Sequence, residues 1–166
     1  MRTFIGLIMA AFAFASNPDI VATALQFTQR TKYGFGSSSV ERMDCSAFVK
    51  RVFSLHGINL PRTSIEQSRV GRPVSLSELK PGDLLFFSTY RPGPSHVGIY
   101  IGNGKMVHSS SRGNGVIISD LSEPYWSSRY LFARRVEGNI GLSQNPKPLP
   151  IDHSDEIGDL ILILIR

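Results

Sequence analysis

A single cysteine stands in 166 residues, so no intrachain disulfide can form and the fold must rest on a packed core. Long apolar runs are missing as well. The uncharged stretch from Phe4 to Ala15 covers 12 residues and falls short of the roughly 20 that a membrane-spanning helix needs. There is no zinc-finger spacing, no long Lys/Arg run and no RNA-binding aromatic signature, so the net charge of +5 does not by itself point to nucleic acid. No internal repeat occurs, which excludes solenoids and propellers.

What is present describes one globular domain. Hydrophobic residues make up 42% and charged residues 19%, a composition that can bury a core. The positive balance suits an anionic polymer or surface. Arg2, the apolar run and the small-x-small pattern Ala13-Phe14-Ala15 predict an export signal over residues 1–15. A buried first helix is the alternative. No Cys follows the run, so a lipid anchor is not expected. A lone thiol in an exported protein calls for a reason, either intermolecular pairing or reactivity. An inert buried Cys is the plain alternative.

Asn17-Pro18-Asp19 reads as a helix start, and Ile20, Val21, Ala24, Leu25 and Phe27 continue it at helical spacing up to a stop before Gly34. Asp44 is placed to cap a second helix, with Phe48, Val49, Val52, Phe53 and Leu55 on its buried face and Gly57 as its left-handed end. Thr63 and Glu66 have capping-box spacing. Pro81-Gly82-Asp83 then opens a β half with five strand-like runs: Asp83 to Ser88, His96 to Ile101, Lys105 to Ser109, Val116 to Ser119 and Tyr130 to Val136. Gly102-Asn103-Gly104 makes a tight hairpin of the second and third. Helices first and strands after predict an α+β fold with an antiparallel sheet. Past residue 138, Asn145 to Pro150 forms a stiff Pro-rich linker. Leu160 to Ile165 is apolar, too short to cross a membrane, and is expected to pack as an added strand or helix. The domain is thus expected over residues 16–138, followed by a tail over 139–166.

The chemistry centres on Cys45, just inside the second helix. Exposed N–H groups and the macrodipole there favour an anion and lower a thiol's pKa. The Cys45 N–H is also placed to meet an oxyanion. A nucleophilic thiol needs a base, most often His. Of four histidines, His56 sits about 16 Å away at the far end of the same helix, at 1.5 Å per residue. His153 falls in the polar tail. His96 and His108 remain, on the two strands of one hairpin, where one ring can orient the other if both face the same side. One Cys and two His can also bind zinc, but the short-range ligand pairs of zinc sites are missing, so no metal is expected.

These residues resemble the NlpC-type cell-wall cysteine peptidases. The segments that carry the resemblance are Asp44-Cys45-Ser46, Leu60-Pro61-Arg62-Thr63-Ser64, Leu79 to Phe87, and Ser95-His96-Val97-Gly98-Ile99-Tyr100-Ile101-Gly102, followed by His108. They run in the family's order over about Tyr33 to Val136. Ala47 departs from the Gly usual after Asp-Cys-Ser. The resemblance implies a papain-like fold and a triad of Cys45, His96 and His108. It also implies an active-site Tyr33, and a substrate pocket lined by Asp44, Ser46 and Ser64. Asp44 as a mere N-cap and Ser64 as a mere helix-start residue are the competing readings. The implied reaction is cysteine-peptidase cleavage of peptidoglycan stem peptides at the bond from the D-glutamate side chain to a diamino acid. An exported monomer is expected, with a muropeptide partner, no cofactor, no nucleic acid and no stable membrane insertion. Two other readings use the same residues: an amidase or acyltransferase on the same scaffold, and a non-catalytic wall-binding module, which would need no thiolate.

Overall fold

The computed structural model describes residues 18–137. The expected export signal, Asn17, His153 and the tail over 139–166 lie outside the described residues. Helix α1 spans Pro18–Leu25, shorter than its apolar periodicity indicates. Gln29 takes φ of 62°, which no α-helix holds, and its N–H bonds the Val116 carbonyl at 3.3 Å. A cross-chain hydrogen bond thus replaces the helical one, and the chain runs into β1 (Lys32–Tyr33), paired in parallel with β2 (Arg42–Met43).

Asp44 follows in extended backbone. Its Oδ1 accepts from the Ala47 N–H at 2.8 Å and caps α2, Cys45–Ser54. Phe48, Val49, Val52 and Phe53 form the wholly buried face of α2, the stripe that helical spacing prescribes. Gly57 holds φ of 74° as the chain leaves the helix. The capping box of Thr63 and Glu66 is present and starts α3, Ser64–Gln67.

The sheet has six strands, where the sequence pattern shows five. They are β3 (Arg72–Val74), β4 (Leu84–Phe87), β5 (His96–Gly102), β6 (Lys105–Ser110), β7 (Gly115–Asp120) and β8 (Tyr130–Arg135). All pairs are antiparallel, in the order β3-β8-β4-β5-β6-β7. The unforeseen strand β3 carries Pro73 and runs along an edge, where the missing N–H leaves no ladder bond unmade. A short helix, α4 (Pro124–Ser127), lies between β7 and β8. The hairpin of β5 and β6 turns on Asn103 and Gly104, at φ of 51° and 68°, the pair of positive values a type I′ turn requires.

Both faces of the sheet are covered. Helix α2 packs its apolar stripe on Leu84, Phe86, Val97, Ile99 and Val107. On the other face Leu85, Phe87, Met106 and Ala133 pack with Trp126 of α4. This two-sided burial explains why β4 reads as the unbroken apolar run Leu84-Leu85-Phe86-Phe87. A buried ion pair fixes the start of β4 to β8: Arg135 Nε and a terminal guanidinium nitrogen each meet an Asp83 carboxylate oxygen at 2.7 Å. The layering brings the first turn of α2 against the strands that carry both histidines.

Candidate active site

Helix α2 begins at Cys45, so its first N–H groups have no helical carbonyl to bond. The backbone N–H groups of Val97, Ser46 and Cys45 itself act on the thiol and draw its pKa down. Burial outweighs them. Cys45 is 8% exposed, and desolvation, aided by the Asp44 carboxylate, pushes its thiol up to about 11 from 9.0. The expectation of a depressed thiol pKa is therefore corrected. The helix start does favour the thiolate, but closing the site over the sulfur costs the anion more.

His96 opens β5 directly before Val97. The β5–β6 register pairs Ile99 with Val107, which sets Gly98 across from His108 and puts both imidazoles on one sheet face. A Cβ at Gly98 would lie 3.3 Å from that of His108 and 2.8 Å from the Met106 sulfur. Its absence leaves room for the rings to meet. His96 Nε2 and His108 Nδ1 are 2.9 Å apart. That contact engages Nε2 and leaves Nδ1 as the other ring nitrogen of His96. Trp126 walls the pair in, its ring centroid 5.2 Å from His96 and 4.8 Å from His108. Burial lowers His96 to about 4. Burial, then the neighbouring imidazole, holds His108 well below 6.5. Both rings are neutral near pH 7. Ser109 ties the halves together by donating to the Met43 carbonyl at 2.7 Å, just ahead of Asp44 and Cys45.

A cleft of about 300 Å³ opens beside Cys45, lined by Tyr33, Asp44, Ser46, Arg62, Ser64 and Tyr90 among others. The structure thus brings Tyr33, Asp44, Ser46 and Ser64 together around the thiol. Tyr33 stands on β1, its phenol raised by burial and then by the charges of Cys45 and Asp44. Asp44 both caps α2 and faces the cleft. Arg62 grips its carboxylate in a fork, at 3.0 Å to Oδ1 and 2.7 Å to Oδ2, and also donates to Ser46 Oγ at 3.0 Å. Ser64 both starts α3 and lines the cleft, and its hydroxyl donates to the Pro94 carbonyl at 2.7 Å, holding the loop that leads into His96. His56 stands apart, its Nε2 2.8 Å from Thr23 Oγ1, joining the end of α2 to α1.

Three residues near the site escape a reading of the sequence. Arg62 lies inside a recognised segment, and the need of a half-buried Asp44 for a counter-charge is the signal that points to it. Ser119 Oγ lies 3.0 Å from His108 Nε2. Its only sequence signal is an even spacing from Ile117, which pairs with His108. Trp126 comes from α4, far along the chain, with no local signal. Among the described residues, no group of three or more His, Cys, Asp or Glu is arranged to hold a metal ion. The site holds a buried thiol at a helix start and, on a neighbouring strand, a buried imidazole in contact with a second one, groups that acyl transfer can use.

Comparison with known proteins agrees with this geometry. Residues 30–135 match the NlpC/P60 family. Over 106 residues the chain is 49% identical to the murein DD-endopeptidase MepS/murein LD-carboxypeptidase of Escherichia coli strain K12, covering 63% of this chain and 55% of that one. It is 37% identical over 120 residues to the γ-D-glutamyl-L-lysine dipeptidyl-peptidase of Bacillus subtilis strain 168, covering 70% and 40%. The chain spans about half the length of the curated relatives it matches. Among solved structures, an NlpC/P60 family protein from Bacillus cereus aligns with a TM-score of 0.65 at 37% identity, over 70% of this chain and 39% of that one. The NlpC/p60 domain of the peptidoglycan hydrolase SagA aligns at 0.61 and 28% identity, over 71% and 97%. The family shares the papain-like α+β fold seen here, and the chain belongs to the NlpC/P60 family.

Proposed function

We propose that this protein is a cysteine endopeptidase of peptidoglycan stem peptides, with Cys45 as nucleophile, His96 as base and acid, and His108 orienting His96. The observation that carries the reading is the contact of His96 Nε2 with His108 Nδ1, made next to Val97, whose backbone N–H acts on the buried Cys45 thiol. The resting site holds a neutral thiol and a neutral imidazole, so proton transfer accompanies attack rather than preceding it. The Cys45 sulfur bonds to the amide carbon while its proton passes to His96 Nδ1. The Cys45 N–H and the Tyr33 hydroxyl meet the oxyanion. Protonated His96 then gives that proton to the leaving amine as the C–N bond breaks. Water attacks the thioester, gives a proton to His96, and the released thiolate recovers it.

Asp44, Ser46 and Ser64 take up the substrate in the 300 Å³ cleft, with Arg62 holding the first two in place. The D-γ-glutamyl–diamino acid bond has the support of the relative named γ-D-glutamyl-L-lysine dipeptidyl-peptidase. A second reading, a DD bond between stems, is favoured by the 49% identity to a protein named murein DD-endopeptidase. The catalytic unit lies within residues 16–138. Action outside the cytoplasm is supported by the Arg2 and Phe4 to Ala15 pattern and by the murein-directed names of the relatives.

Digestion of purified muropeptides, followed by mass spectrometry, tests the reading. Cleavage within one stem marks the γ-glutamyl bond, and conversion of cross-linked dimers to intact monomers marks the DD bond. Cys45→Ala is expected to lose either product. Persistent cleavage by that variant would show that another residue is the nucleophile.

A further inference from the structure

Ser119 stands on β7, next to the strand of His108, and has no counterpart in the Cys-His-His description of the site. It is buried, and its Oγ is 3.0 Å from His108 Nε2. Two successive contacts therefore continue the site outward: His96 Nε2 to His108 Nδ1 at 2.9 Å, then His108 Nε2 to Ser119 Oγ. Beyond Ser119 opens a second cleft of about 240 Å³, lined also by Ser110, Arg112, Glu123, Tyr125 and Trp126.

Two neutral rings joined in this way have two ways to place their protons. If His96 carries its proton on Nε2, it donates to His108 Nδ1. His108 must then carry its own on Nε2 and donate to Ser119. In that state His96 Nδ1 has a free lone pair and can take the thiol proton. If the chain runs the other way, Ser119 donates to His108 Nε2 and His108 Nδ1–H donates to His96 Nε2. His96 then has its proton on Nδ1 and cannot act as base. After the thiol proton is taken, His96 has both nitrogens protonated, so only the first direction remains possible. His108 must then donate from Nε2, and a buried N–H without an acceptor is costly.

We infer that Ser119 is a positioning residue, the acceptor that fixes the proton of His108 on Nε2 and thereby keeps His96 in the tautomer that can serve Cys45. The inference rests on the proposed roles of Cys45 and His96. Ser119 lines the second cleft, on which side its hydroxyl can turn its proton away from His108 and leave its oxygen to accept. The titratable groups around the pair are His96 on β5, and Glu123, Arg112 and Tyr125 at the rim of that cleft.

The test compares wild type, Ser119→Ala and Ser119→Thr, each confirmed folded by circular dichroism. Two measurements are made: kcat and KM on purified cross-linked muropeptides, and 15N spectra of the imidazoles at pH 7. In wild type, His108 is expected to show a protonated Nε2 and a bare Nδ1. Ser119→Ala is expected to lower kcat roughly ten-fold, the size of one lost buried hydrogen bond. Its KM should hold and its 15N pattern should mix the two tautomers. Ser119→Thr keeps the hydroxyl and is expected to restore both the pattern and most of kcat. The inference is overturned if Ser119→Ala keeps full kcat, if its loss lies in KM alone, or if wild-type His108 carries its proton on Nδ1. The spectra need no substrate, so they judge Ser119 even if wild type cleaves no muropeptide, which would count against the proposed function instead.

Discussion

His96 Nε2 meets His108 Nδ1 at 2.9 Å although the two residues are not directly paired in the sheet. His108 lies across from Gly98, two residues beyond His96, and the rings reach each other diagonally over the bare Cα of that glycine. Their planes stand at 85° with centroids 4.9 Å apart. The edge of one ring thus faces the lone pair of the other.

The two histidines should differ in kind. In the proposed mechanism His96 moves protons, so His96→Ala is expected to abolish turnover as Cys45→Ala does, by at least the ~10²–10⁴-fold of a lost general base. His108→Asn and His108→Gln retain polar side chains and should keep part of the activity. His108→Ala should lose more, because the ring of His96 is then free to turn. Steady-state kinetics on muropeptides at equal folding decide it. Near-normal turnover in His96→Ala would mean that another base serves Cys45.

Gly98 should tolerate no side chain without loss of rate. The flexible thioether of Met106 can move away from a new Cβ, but His108 Cβ, at 3.3 Å, is tied to the strand. Gly98→Ala is therefore expected to keep the fold, push His108 off line and lower kcat more than it raises KM. A variant with full kcat would show that the hairpin absorbs the methyl and that the glycine only fills space.

Much of this site was legible along the chain. Cys45, both histidines and the type I′ turn sit in local patterns: a capped helix start, a hairpin and a lone thiol. The segments around Leu60 to Ser64 and Leu79 to Phe87 also fixed the family. What sequence could not show depends on distant packing. Strand β3, which carries Pro73, is a strand only through its pairing with the distant β8. Trp126 and Ser119 reach the histidines only once β7 and α4 are laid down. The sign of the thiol's pKa shift also eluded the sequence. A helix start lowers it, but how deeply Cys45 is buried is a property of the closed fold.

Stability should fall as the medium is acidified below neutral pH. His96 is lowered to about 4 from 6.5 by burial, and His108 is lowered as well. Between those values the unfolded chain binds protons that the folded one refuses, so unfolding becomes easier as pH drops. The slope is about 1.4 kcal/mol per pH unit for each such proton. Urea titrations from pH 7 to pH 4 should show this fall, and His108→Gln should make it shallower. A flat profile over that range would mean that the rings are charged without cost in the fold.

Asp44 performs two tasks that two substitutions can separate. As a cap it accepts from the Ala47 N–H; as an anion it pairs with Arg62 and pushes the Cys45 thiol up, behind the larger effect of burial. Asp44→Asn keeps an oxygen for the cap but removes the charge. Asp44→Ala removes both and should cost about 1 kcal/mol more in stability, the usual worth of a cap. The pair with Arg62 is partly open to water, at 37% and 13% side-chain exposure, so losing it alone should cost little. Both variants should bring the thiol down together, because each takes away the same negative charge. Iodoacetamide alkylation against pH reads this directly. The wild-type midpoint is expected above the ordinary 9.0 of a cysteine, and both variants should alkylate at lower pH than wild type while remaining above that value, since burial persists. If Asp44→Ala lowers the midpoint and Asp44→Asn does not, the charge is irrelevant and loosening of the helix start has exposed the sulfur. If the wild-type midpoint falls below 9.0, the N–H groups of Val97, Ser46 and Cys45 outweigh burial, and the site rests as a thiolate after all.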